Sequence, residues 1–354
     1  MCGIVGYVGY DEAAGKIIEG LKKLEYRGYD SSGIAILSDK GIELNKCKGE
    51  IKNLENMIAG RVPSGTCGIG HTRWATHGAP SDVNSHPHMD QSGRVALVHN
   101  GIVENYVELK EALINEHGIK FKSETDSEVI AQLVGVKYNA NGGDLEKAVY
   151  DATKEMRGTY AIGVIAEDTP NKIVAYRKEA PLIAGLGKKS NFIASDIPAL
   201  LKYTNDIFLI ENDEMVICTP DSITIKDKDG KEVKREAMKI TWSVEDAEKG
   251  GYEHFMLKEI NEQPKVVAET LNRRIDEDGK IKLDGINLTK EELDKYNKIY
   301  IVACGTAYHA GLVGKYVIEK MAGIAVEVDV ASEFRYRDPF IDEKTLFIAI
   351  SQSG

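Results

Sequence analysis

A cysteine at the second position of the chain could act as a nucleophile. The initiator methionine is normally removed before a small residue, which would leave Cys2 with a free α-amino group beside its thiol. An α-amine with a pKa of about 7.7–8.0 is well matched to a thiol near 8.5 and could serve as its base. The alternative is a buried cysteine that happens to lie near the start of a strand, and its position alone leaves that alternative open.

A second group of chemically versatile residues lies between positions 71 and 101. Five of the eight histidines fall between residues 71 and 99, together with Arg73, whose guanidinium offers two parallel donors to a carboxylate. The segment GHTRWATHG alternates too poorly for a strand, so we expect a loop there. Asn100 and Gly101 follow the apolar run VALV, and at a strand end an amide and a backbone N–H could form an oxyanion hole. An Asn-Gly pair is also a common tight turn.

Two further motifs in this region have structural alternatives. His86-Pro87-His88 could be a metal-binding pair, but no third and fourth ligand follow at a suitable spacing, so structural histidines are favoured and no metal is predicted. The TDSE sequence at 125–128 matches a capping box and predicts a helix start. Asp126 could therefore be only a charge favoured by the helix dipole.

These residues must be positioned by a domain that mixes strands and helices. Up to about residue 240, short apolar runs alternate with helical patterns without strict βαβ order, which indicates an α+β domain with stacked layers. A hairpin is expected around Asp229-Gly230. The predicted strands are 4–8, 33–37, 95–98, 159–165, 172–176 and 192–195, and the predicted helices are 13–24, 103–115, 128–138 and 144–155.

The later part of the chain has a different pattern. Residues 242–251 are charged and end in two glycines, which is typical of a linker, and a helix is predicted over 253–274 with a kink or break at Pro264. Apolar runs at 298–303, 324–330 and 345–350, with a helix from about 309 to 322, then predict a parallel α/β sheet. The chain stops after ISQSG, where a loop should lead into another helix, so we expect a fragment of a longer protein.

Composition excludes several classes of protein. A length of 354 residues predicts two domains or three, and 45 basic against 56 acidic residues, without a basic cluster, argue against nucleic acid as a partner. No apolar run reaches the roughly 18 residues of a membrane helix, and the start lacks the features of a signal peptide. Five widely spread cysteines without a C-x-x-C pair favour a reducing compartment, the cytoplasm.

Taken together, the motifs resemble two known families. MCGIVG, LEYRGYDSSG, HTRWATHG, NSHPH, VHNGIVENY and ETDSE occur in this order and resemble class II glutamine amidotransferases, which are N-terminal-nucleophile hydrolases with an αββα sandwich. The later SEFRYRD, ACGTAYHAG and ISQSG resemble the start of a sugar isomerase (SIS) domain, an α/β domain with a parallel sheet. The resemblance implies a glutaminase domain over 2–240, a linker over 241–252 and a truncated SIS domain over 253–354. It implies no cofactor.

The amidotransferase resemblance also implies residue roles. Cys2 would attack the side-chain amide of glutamine with its own α-amine as general base, while Asn100 and Gly101 would hold the oxyanion. The residues implied to bind glutamine are Arg73, Thr76 and His77, which bind its carboxylate, and Asp126, which binds its ammonium. The implied supporting residues are Arg27 and Gly28, which order the loop around the nucleophile, Trp74 at the exit for ammonia, and His86 in the supporting loop.

The SIS resemblance implies a sugar-phosphate site. Thr306 and neighbouring backbone N–H groups would bind the phosphate, because a helix N-terminus is a natural anion site. Ser351, Gln352 and Ser353 would supply further donors. Ala307 stands where many family members have serine, so no ligand role is expected for it.

The pairing of the two domains implies an overall reaction. Ammonia from glutamine would aminate fructose 6-phosphate to glucosamine 6-phosphate, in a homodimer built largely by the SIS domains. The later steps need residues beyond position 354, so we expect this chain alone only to hydrolyse glutamine. Two alternatives remain open: another class II amidotransferase, with a phosphoribosyltransferase or ATP-using partner domain, and a non-catalytic sugar-phosphate sensor that needs no free Cys2 amine.

Overall fold

The computed structural model describes residues 2–75, 77–241, 252, 254–272, 274–275, 278–281, 283, 286 and 288–351. The chain divides into two compact units, Met1–Lys258 and Glu259–Gly354, which we describe separately. Nearly all of the predicted linker, 241–252, lies outside the described residues, so the domain limits stay a prediction. Among the residues that the structure describes, no helix is both long enough and apolar enough to cross a membrane.

The first unit contains the following elements. Its strands are β1 (Gly3–Gly9), β2 (Ser31–Ser38), β3 (Gly41–Lys48), β4 (Cys67–Arg73), β5 (His88–Met89), β6 (Val95–Val103), β7 (Gly158–Ala166), β8 (Ile173–Lys178), β9 (Ile183–Leu186), β10 (Ser190–Ala194), β11 (Asp206–Leu209), β12 (Glu214–Cys218), β13 (Ile223–Lys226) and β14 (Met238–Lys239). Its helices are α1 (Ala13–Leu24), α2 (Ile51–Ile58), α3 (Tyr106–His117), α4 (Asp126–Ala140) and α5 (Leu145–Glu155), and α6 (Phe255–Asn272) begins in this unit.

Two antiparallel sheets form the centre of the first unit. In its described part, eight strands pair in the order β14-β11-β9-β10-β1-β4-β2-β3 and six pair in the order β13-β12-β8-β7-β6-β5. Successive side chains of a strand point to opposite faces. In β1, Ile4 therefore packs in a cluster with Ala161 of the other sheet, whereas Val5 packs with Ile17 of α1.

Helices cover the outer face of each sheet. α1 and α2 pack on the first sheet, and α3, α4 and α5 pack on the second. All seven residues of β1 are buried because the strand lies between a helix layer and a sheet. The predicted αββα sandwich is thus confirmed.

Three local predictions differ from the structure. Residues 70–73, predicted as part of a loop, are the end of β4, so that prediction was wrong for them. The turn at Asp229-Gly230 exists, but beyond it the hairpin has only a bridge between Lys226 and Glu232 in place of a full second strand. Pro264 lies inside α6, which continues to Asn272, so the helix does not break there, and the predicted alternative of a kink stays a prediction.

The second unit contains a small parallel sheet. Its elements are α7 (Lys290–Leu293), β15 (Lys298–Ala303), α8 (Gly305–Ala322), β16 (Ala325–Val330), α9 (Ala331–Tyr336) and β17 (Thr345–Ile350). Within the described residues, β15 lies between β16 and β17 and runs parallel to both. This confirms the predicted α/β pattern, although α8 starts at Gly305, earlier than predicted.

Candidate active site

A cavity of about 350 Å³ opens where β1 begins and where β4 and β6 end. The start of β1 and the end of β4 meet because the two strands pair, with Gly3 opposite Thr72. The end of β6 lies nearby because side chains of both sheets pack together in the layer between the sheets. The residues predicted from sequence that line the cavity are Cys2, Arg27, Arg73, Trp74, His86, Asn100, Gly101 and Asp126.

The sulfur of Cys2 lies against the backbone of Trp74. The Trp74 N–H donates to Cys2 Sγ at 3.2 Å, and Sγ lies 3.4 Å from the Trp74 carbonyl oxygen. Burial raises the pKa of the Cys2 thiol, while the Trp74 N–H and the charge of Arg73 act in the opposite direction. A thiol with a raised pKa needs a base to become a nucleophile.

The segment that carries Trp74 is held by the RGYD motif. The Asp30 N–H donates to the Arg73 carbonyl at 3.0 Å, and the Ala75 N–H donates to Asp30 Oδ2 at 2.9 Å. A Cβ on Gly28 would lie 2.6 Å from Arg73 C and from Trp74 N, so only glycine allows this close approach. The motif therefore fixes the amide that contacts the Cys2 sulfur, a role of Asp30 that sequence reasoning did not identify.

Arg27 and Trp74 form the rim of the same site. Arg27 Nη2 pairs with Asp196 Oδ2 at 3.2 Å, which ties the RGYD loop to the short 3₁₀ turn Ile197–Ala199. Trp74 is 45% exposed, and its ring meets Tyr29 edge-on at 5.7 Å. The loop-ordering role of Arg27 fits this geometry, while the ammonia-exit role of Trp74 stays a prediction.

Asn100 and Gly101 are part of strand β6. Asn100 pairs with Ala161 and Gly101 with Tyr160 of β7, and β6 continues to Val103, so the Asn-Gly pair is not a hairpin turn. Gly101 has a φ of +116°, and a Cβ there would collide with the Thr159 carbonyl. The position therefore requires glycine, and both residues line the cavity from within the strand.

The amide of Asn100 makes two defined hydrogen bonds. Asn100 Nδ2 donates to the Cys2 carbonyl at 3.1 Å, and Asn100 Oδ1 lies 3.0 Å from His71 Nε2. Burial lowers the pKa of His71 to about 3, so the imidazole is neutral near pH 7. His71 was not predicted as a site residue; its place two residues before Arg73 on β4, hence on the same face of the strand, was the available signal.

Arg73 is a buried cation that lines the cavity. Its Nη2 donates to the carbonyls of His77 and Gly78, but Nη1 has no hydrogen-bond partner among the residues that the structure describes. Burial lowers the pKa of the guanidinium, which nevertheless stays charged near pH 7. A buried, unpaired guanidinium donor at a cavity suits an incoming carboxylate.

The other residues predicted to bind this carboxylate are placed differently. His77 contributes its carbonyl to Arg73, and its ring lies 5.5 Å from Tyr106, edge-on; the cavity lining does not include it. Thr76 lies outside the described residues.

Asp126 supplies a buried negative charge to the cavity. Its Oδ2 accepts the Val103 N–H at 3.0 Å, and Ser127 Oγ lies 3.3 Å from Oδ1. The helix starts where the capping box predicted, with Thr125 as N-cap. The Glu128 carboxylate, however, accepts from residues 122 and 123 and not from the N-cap. The carboxylate of Asp126 is more than a helix-end charge, because it lines the same cavity as Arg73.

Four buried histidines pack next to the site. His71 stacks on His86 with ring centres 4.1 Å apart, and His86 meets His88 at 4.9 Å. Burial lowers the pKa of all three, and that of His99, so the rings are neutral. Among the described residues, no group of three or more His, Cys, Asp or Glu is arranged to hold a metal ion.

Lys46 fixes the loop that carries His86. Its ammonium donates to the carbonyls of Val83 at 3.1 Å, Ser85 at 2.6 Å and Pro87 at 3.2 Å. Burial lowers the pKa of Lys46 to about 8. A lone lysine on an edge strand gave no sequence signal for this role.

Two of the four predicted phosphate-binding residues, Thr306 and Ser351, lie at the carboxyl ends of strands in the second unit. Thr306 is in the first turn of α8, just after β15, and Ser351 directly follows β17. Because Ala303 pairs with Ile350 in parallel register, the two loops leave the sheet side by side. Gln352 and Ser353 lie outside the described residues. The phosphate role of all four stays a prediction.

Comparison with protein families gives two matches. Residues 71–202 match the glutamine amidotransferase domain, and residues 292–354 match the SIS domain. They follow each other in the order that the motifs predicted.

Curated relatives match along the whole chain. Those from Clostridium tetani and Clostridium perfringens are both 58% identical over 354 residues, which is 100% of this chain and 58% and 57% of their own lengths. The relative from Thermus thermophilus is 49% identical over 355 residues, covering 100% of this chain and 57% of its own. All three are named glutamine–fructose-6-phosphate aminotransferase [isomerizing]. The chain thus spans a little over half the length of these relatives.

Solved structures of purine enzymes share the fold. The glutamine phosphoribosylpyrophosphate amidotransferase from B. subtilis, complexed with ADP and GMP, has a TM-score of 0.57 at 20% identity, covering 92% of this chain and 65% of its own. A structure described as the allosteric regulatory enzyme of purine biosynthesis has a TM-score of 0.58 at 20% identity, covering 99% of this chain and 69% of its own. The likeness to these enzymes is one of fold, whereas the identity to the curated relatives runs through the entire sequence of this chain. The chain thus contains a glutamine amidotransferase domain followed by a SIS domain, and it is similar throughout to glutamine–fructose-6-phosphate aminotransferases [isomerizing].

Proposed function

We propose that the first unit hydrolyses the side-chain amide of glutamine to glutamate and ammonia, with Cys2 as the nucleophile after removal of Met1. The observation that carries this proposal is the cavity itself. It is lined by a thiol, an oriented amide, a guanidinium and a carboxylate, which belong to Cys2, Asn100, Arg73 and Asp126. No single one of these groups implies glutamine, but the set matches its parts.

The two buried charges support recognition of an amino acid. The Arg73 guanidinium would bind the α-carboxylate through Nη1, which has no other partner among the described residues. The Asp126 carboxylate, oriented by the Val103 N–H, would bind the α-ammonium. A zwitterion supplies both opposite charges at once, so neither protein charge would remain buried and unpaired.

The chemical steps follow from the remaining groups. The α-amine of Cys2 takes the thiol proton, directly or through water, and the thiolate attacks the amide carbon of glutamine. The oxyanion accepts hydrogen bonds from the second N–H of Asn100 and from the backbone N–H of Gly101. When the tetrahedral intermediate collapses, the C–N bond breaks, and the α-ammonium of Cys2 donates its proton to the leaving nitrogen, which departs as ammonia. Water, deprotonated by the same amine, then attacks the thioester carbon. The C–S bond breaks, glutamate is released, and the α-ammonium returns its proton to the Cys2 thiolate.

We further propose that the whole protein delivers this ammonia to fructose 6-phosphate. The names of the curated relatives and the SIS match support this assignment over the purine alternative, with which the chain shares only the fold. Thr306, Ser351, Gln352 and Ser353 would bind the sugar phosphate. The dimer would form through the SIS domains, and a reducing compartment such as the cytoplasm would preserve the Cys2 thiol.

The test begins with the N-terminus. Purified chain whose intact mass shows loss of Met1 should convert glutamine to equal amounts of glutamate and ammonia. A version whose N-terminus is blocked by a short, uncleaved extension should be inactive, because its Cys2 nitrogen is an amide. Full activity of the blocked chain would refute the N-terminal-amine mechanism.

Two other outcomes decide between the alternatives. Formation of an amino sugar by this chain alone would contradict the expectation that it only hydrolyses glutamine. Binding of fructose 6-phosphate without any glutamine hydrolysis by the processed chain would support the sensor alternative and overturn the glutaminase proposal.

A further inference from the structure

We propose that His71 is a positioning residue for the oxyanion hole: its ring N–H holds the Asn100 amide in the one orientation that offers an N–H group at Cys2. This inference deepens the proposed hydrolysis of glutamine and rests on it. His71 lies on the strand β4, and none of the roles described above for Arg73, Asp126 or Gly101 depends on it.

The tautomer of His71 is fixed by a backbone carbonyl. His71 Nε2 lies 3.0 Å from the carbonyl oxygen of His99, and a carbonyl oxygen only accepts hydrogen bonds. Nε2 must therefore carry the proton of the neutral ring. The other nitrogen, Nδ1, is buried without a partner among the described residues, which costs less for a bare nitrogen than for an N–H.

The same N–H decides which way the Asn100 amide faces. Asn100 lies 3.0 Å from Nε2, so the atom of its amide that faces His71 must be the acceptor, Oδ1. Nδ2 is then directed to the opposite side, where it donates to the Cys2 carbonyl at 3.1 Å. If the amide were rotated by half a turn, Asn100 Nδ2 would face the N–H of His71, and Asn100 Oδ1 would face the carbonyl oxygen of Cys2. Both contacts would be repulsive, so together they enforce one orientation.

The surroundings hold the His71 ring in place. Its side chain is completely buried and stacks on His86 with ring centres 4.1 Å apart and an angle of 17° between the planes. Lys46 binds the carbonyls on both sides of His86 and so fixes the loop below the stack. This arrangement gives the supporting role of His86 a physical basis, because the His86 ring limits rotation of the His71 imidazole, which orients Asn100.

Loss of the His71 donor should affect kcat and not KM. Removing one oxyanion-hole donor typically lowers kcat by about 10²–10³-fold. A misoriented amide still visits the productive orientation, so we expect a loss of about 10–10²-fold for His71→Leu. KM should change by less than about threefold, because Arg73 and Asp126 still bind the two charges of glutamine.

A double-mutant cycle with Asn100 tests the inference. His71→Leu removes the donor at similar volume, while His71→Gln retains an amide N–H close to the position of Nε2 and should recover most of the lost kcat. In an Asn100→Ala background, His71→Leu should cause no further loss, because the group it orients is gone. Equal losses of kcat in both backgrounds would show a merely structural role and overturn the inference.

A second measurement is independent of activity. The ¹⁵N spectrum of the imidazoles in the unmutated chain should show His71 neutral near pH 7 with its proton on Nε2. A proton on Nδ1, or a charged ring, would overturn the inference even if the variants lose activity through misfolding. Absence of glutamine hydrolysis by the unmutated, processed chain would instead overturn the proposed function, and the spectrum would still decide the question of His71.

Discussion

The two units of the chain cover their sheets to different extents. Each sheet of the first unit lies between helices and the other sheet, and every residue of β1 is buried. In the second unit β15 is buried along most of its length, but β17, with the equally apolar sequence TLFIAI, contains no fully buried residue. Phe347 of β17 is 43% exposed. An apolar run predicts a strand, but burial depends on the layers that pack on it.

The candidate site residues of the two units also differ in exposure. In the closed layers of the first unit, Arg73 and Asp126 are 4% and 3% exposed, so their charges act in a region of low dielectric constant. In the second unit, the described candidate residues Thr306 and Ser351 are exposed at a sheet edge. Substitutions in the first site should therefore have large effects, and matched substitutions in the second unit should leave glutamine hydrolysis unchanged.

The largest contrast is expected between two cysteines. Cys2→Ala removes the nucleophile and should lower kcat for glutamine hydrolysis by at least about 10⁴-fold, measured as glutamate release. Cys304→Ala replaces an exposed cysteine at the start of α8 and should not change kcat. Comparable rates for Cys2→Ala and the unmutated chain would exclude Cys2 as the nucleophile.

Two glycines with positive φ give the next contrast. Gly101→Ala forces a side chain into the Thr159 carbonyl and should lower kcat by about 10²–10³-fold, through displacement of the oxyanion donors. Gly323→Ala, after α8, has a φ of +64° with open space around it. It should cost only about 1 kcal/mol of stability and no activity. Kinetics and thermal unfolding of both variants check this; a fully active Gly101→Ala enzyme would contradict the site geometry.

Substitution of two arginines compares the effect of changing a buried cation with that of changing an exposed one. Arg73→Lys loses the planar fork and should raise KM for glutamine by about 10–10²-fold, since a charge-assisted hydrogen bond contributes about 1.5–3 kcal/mol. Arg337, paired with Asp329 at 2.5 Å, has a side chain that is 60% exposed. Arg337→Lys should leave KM unchanged in steady-state assays. An effect of Arg73→Lys on kcat alone would argue against carboxylate binding.

The smallest contrast is expected in how the free energy of unfolding depends on pH. A histidine in the unfolded chain has a pKa of about 6.5, whereas burial lowers the pKa of His88 well below this in the folded chain. Below about pH 6.5 the unfolded state binds more protons, so the free energy of unfolding falls as the pH falls. Each such histidine contributes up to about 1.4 kcal/mol per pH unit.

Urea unfolding between about pH 6.5 and pH 4 measures this slope. His88→Gln retains a polar group for Thr125 Oγ1, which lies 3.1 Å from His88 Nε2, and should reduce the slope. His309→Gln replaces an exposed ring of the second unit and should leave the slope unchanged. An unaltered slope in His88→Gln would mean that this ring does not oppose folding at low pH.

Local sequence patterns predicted the positions of helices and strands well, but they did not predict which distant residues contact them. The bounds of α1 agree with the prediction, and α4 begins at the predicted cap, because amphipathic periodicity and capping are properties of neighbouring residues. The end of β4, with the polar residues His71 and Arg73, lies in a segment whose poor alternation of polar and apolar residues predicts a loop. Their burial is compensated by groups far away in the chain, such as Asn100, which a local pattern does not reveal.

By itself, the sequence predicted the nucleophile and indicated both domain families and their order, because these depend on residue types in a fixed order along the chain. Only the tertiary structure showed that Asn100 and Gly101 lie within a continuous strand, that Arg73 Nη1 has no hydrogen-bond partner among the described residues, and that His71 Nε2 lies 3.0 Å from Asn100 Oδ1. These features depend on strand register and on hydrogen bonds between distant residues, since a buried polar group finds its partner through the fold and not through its neighbours in the chain.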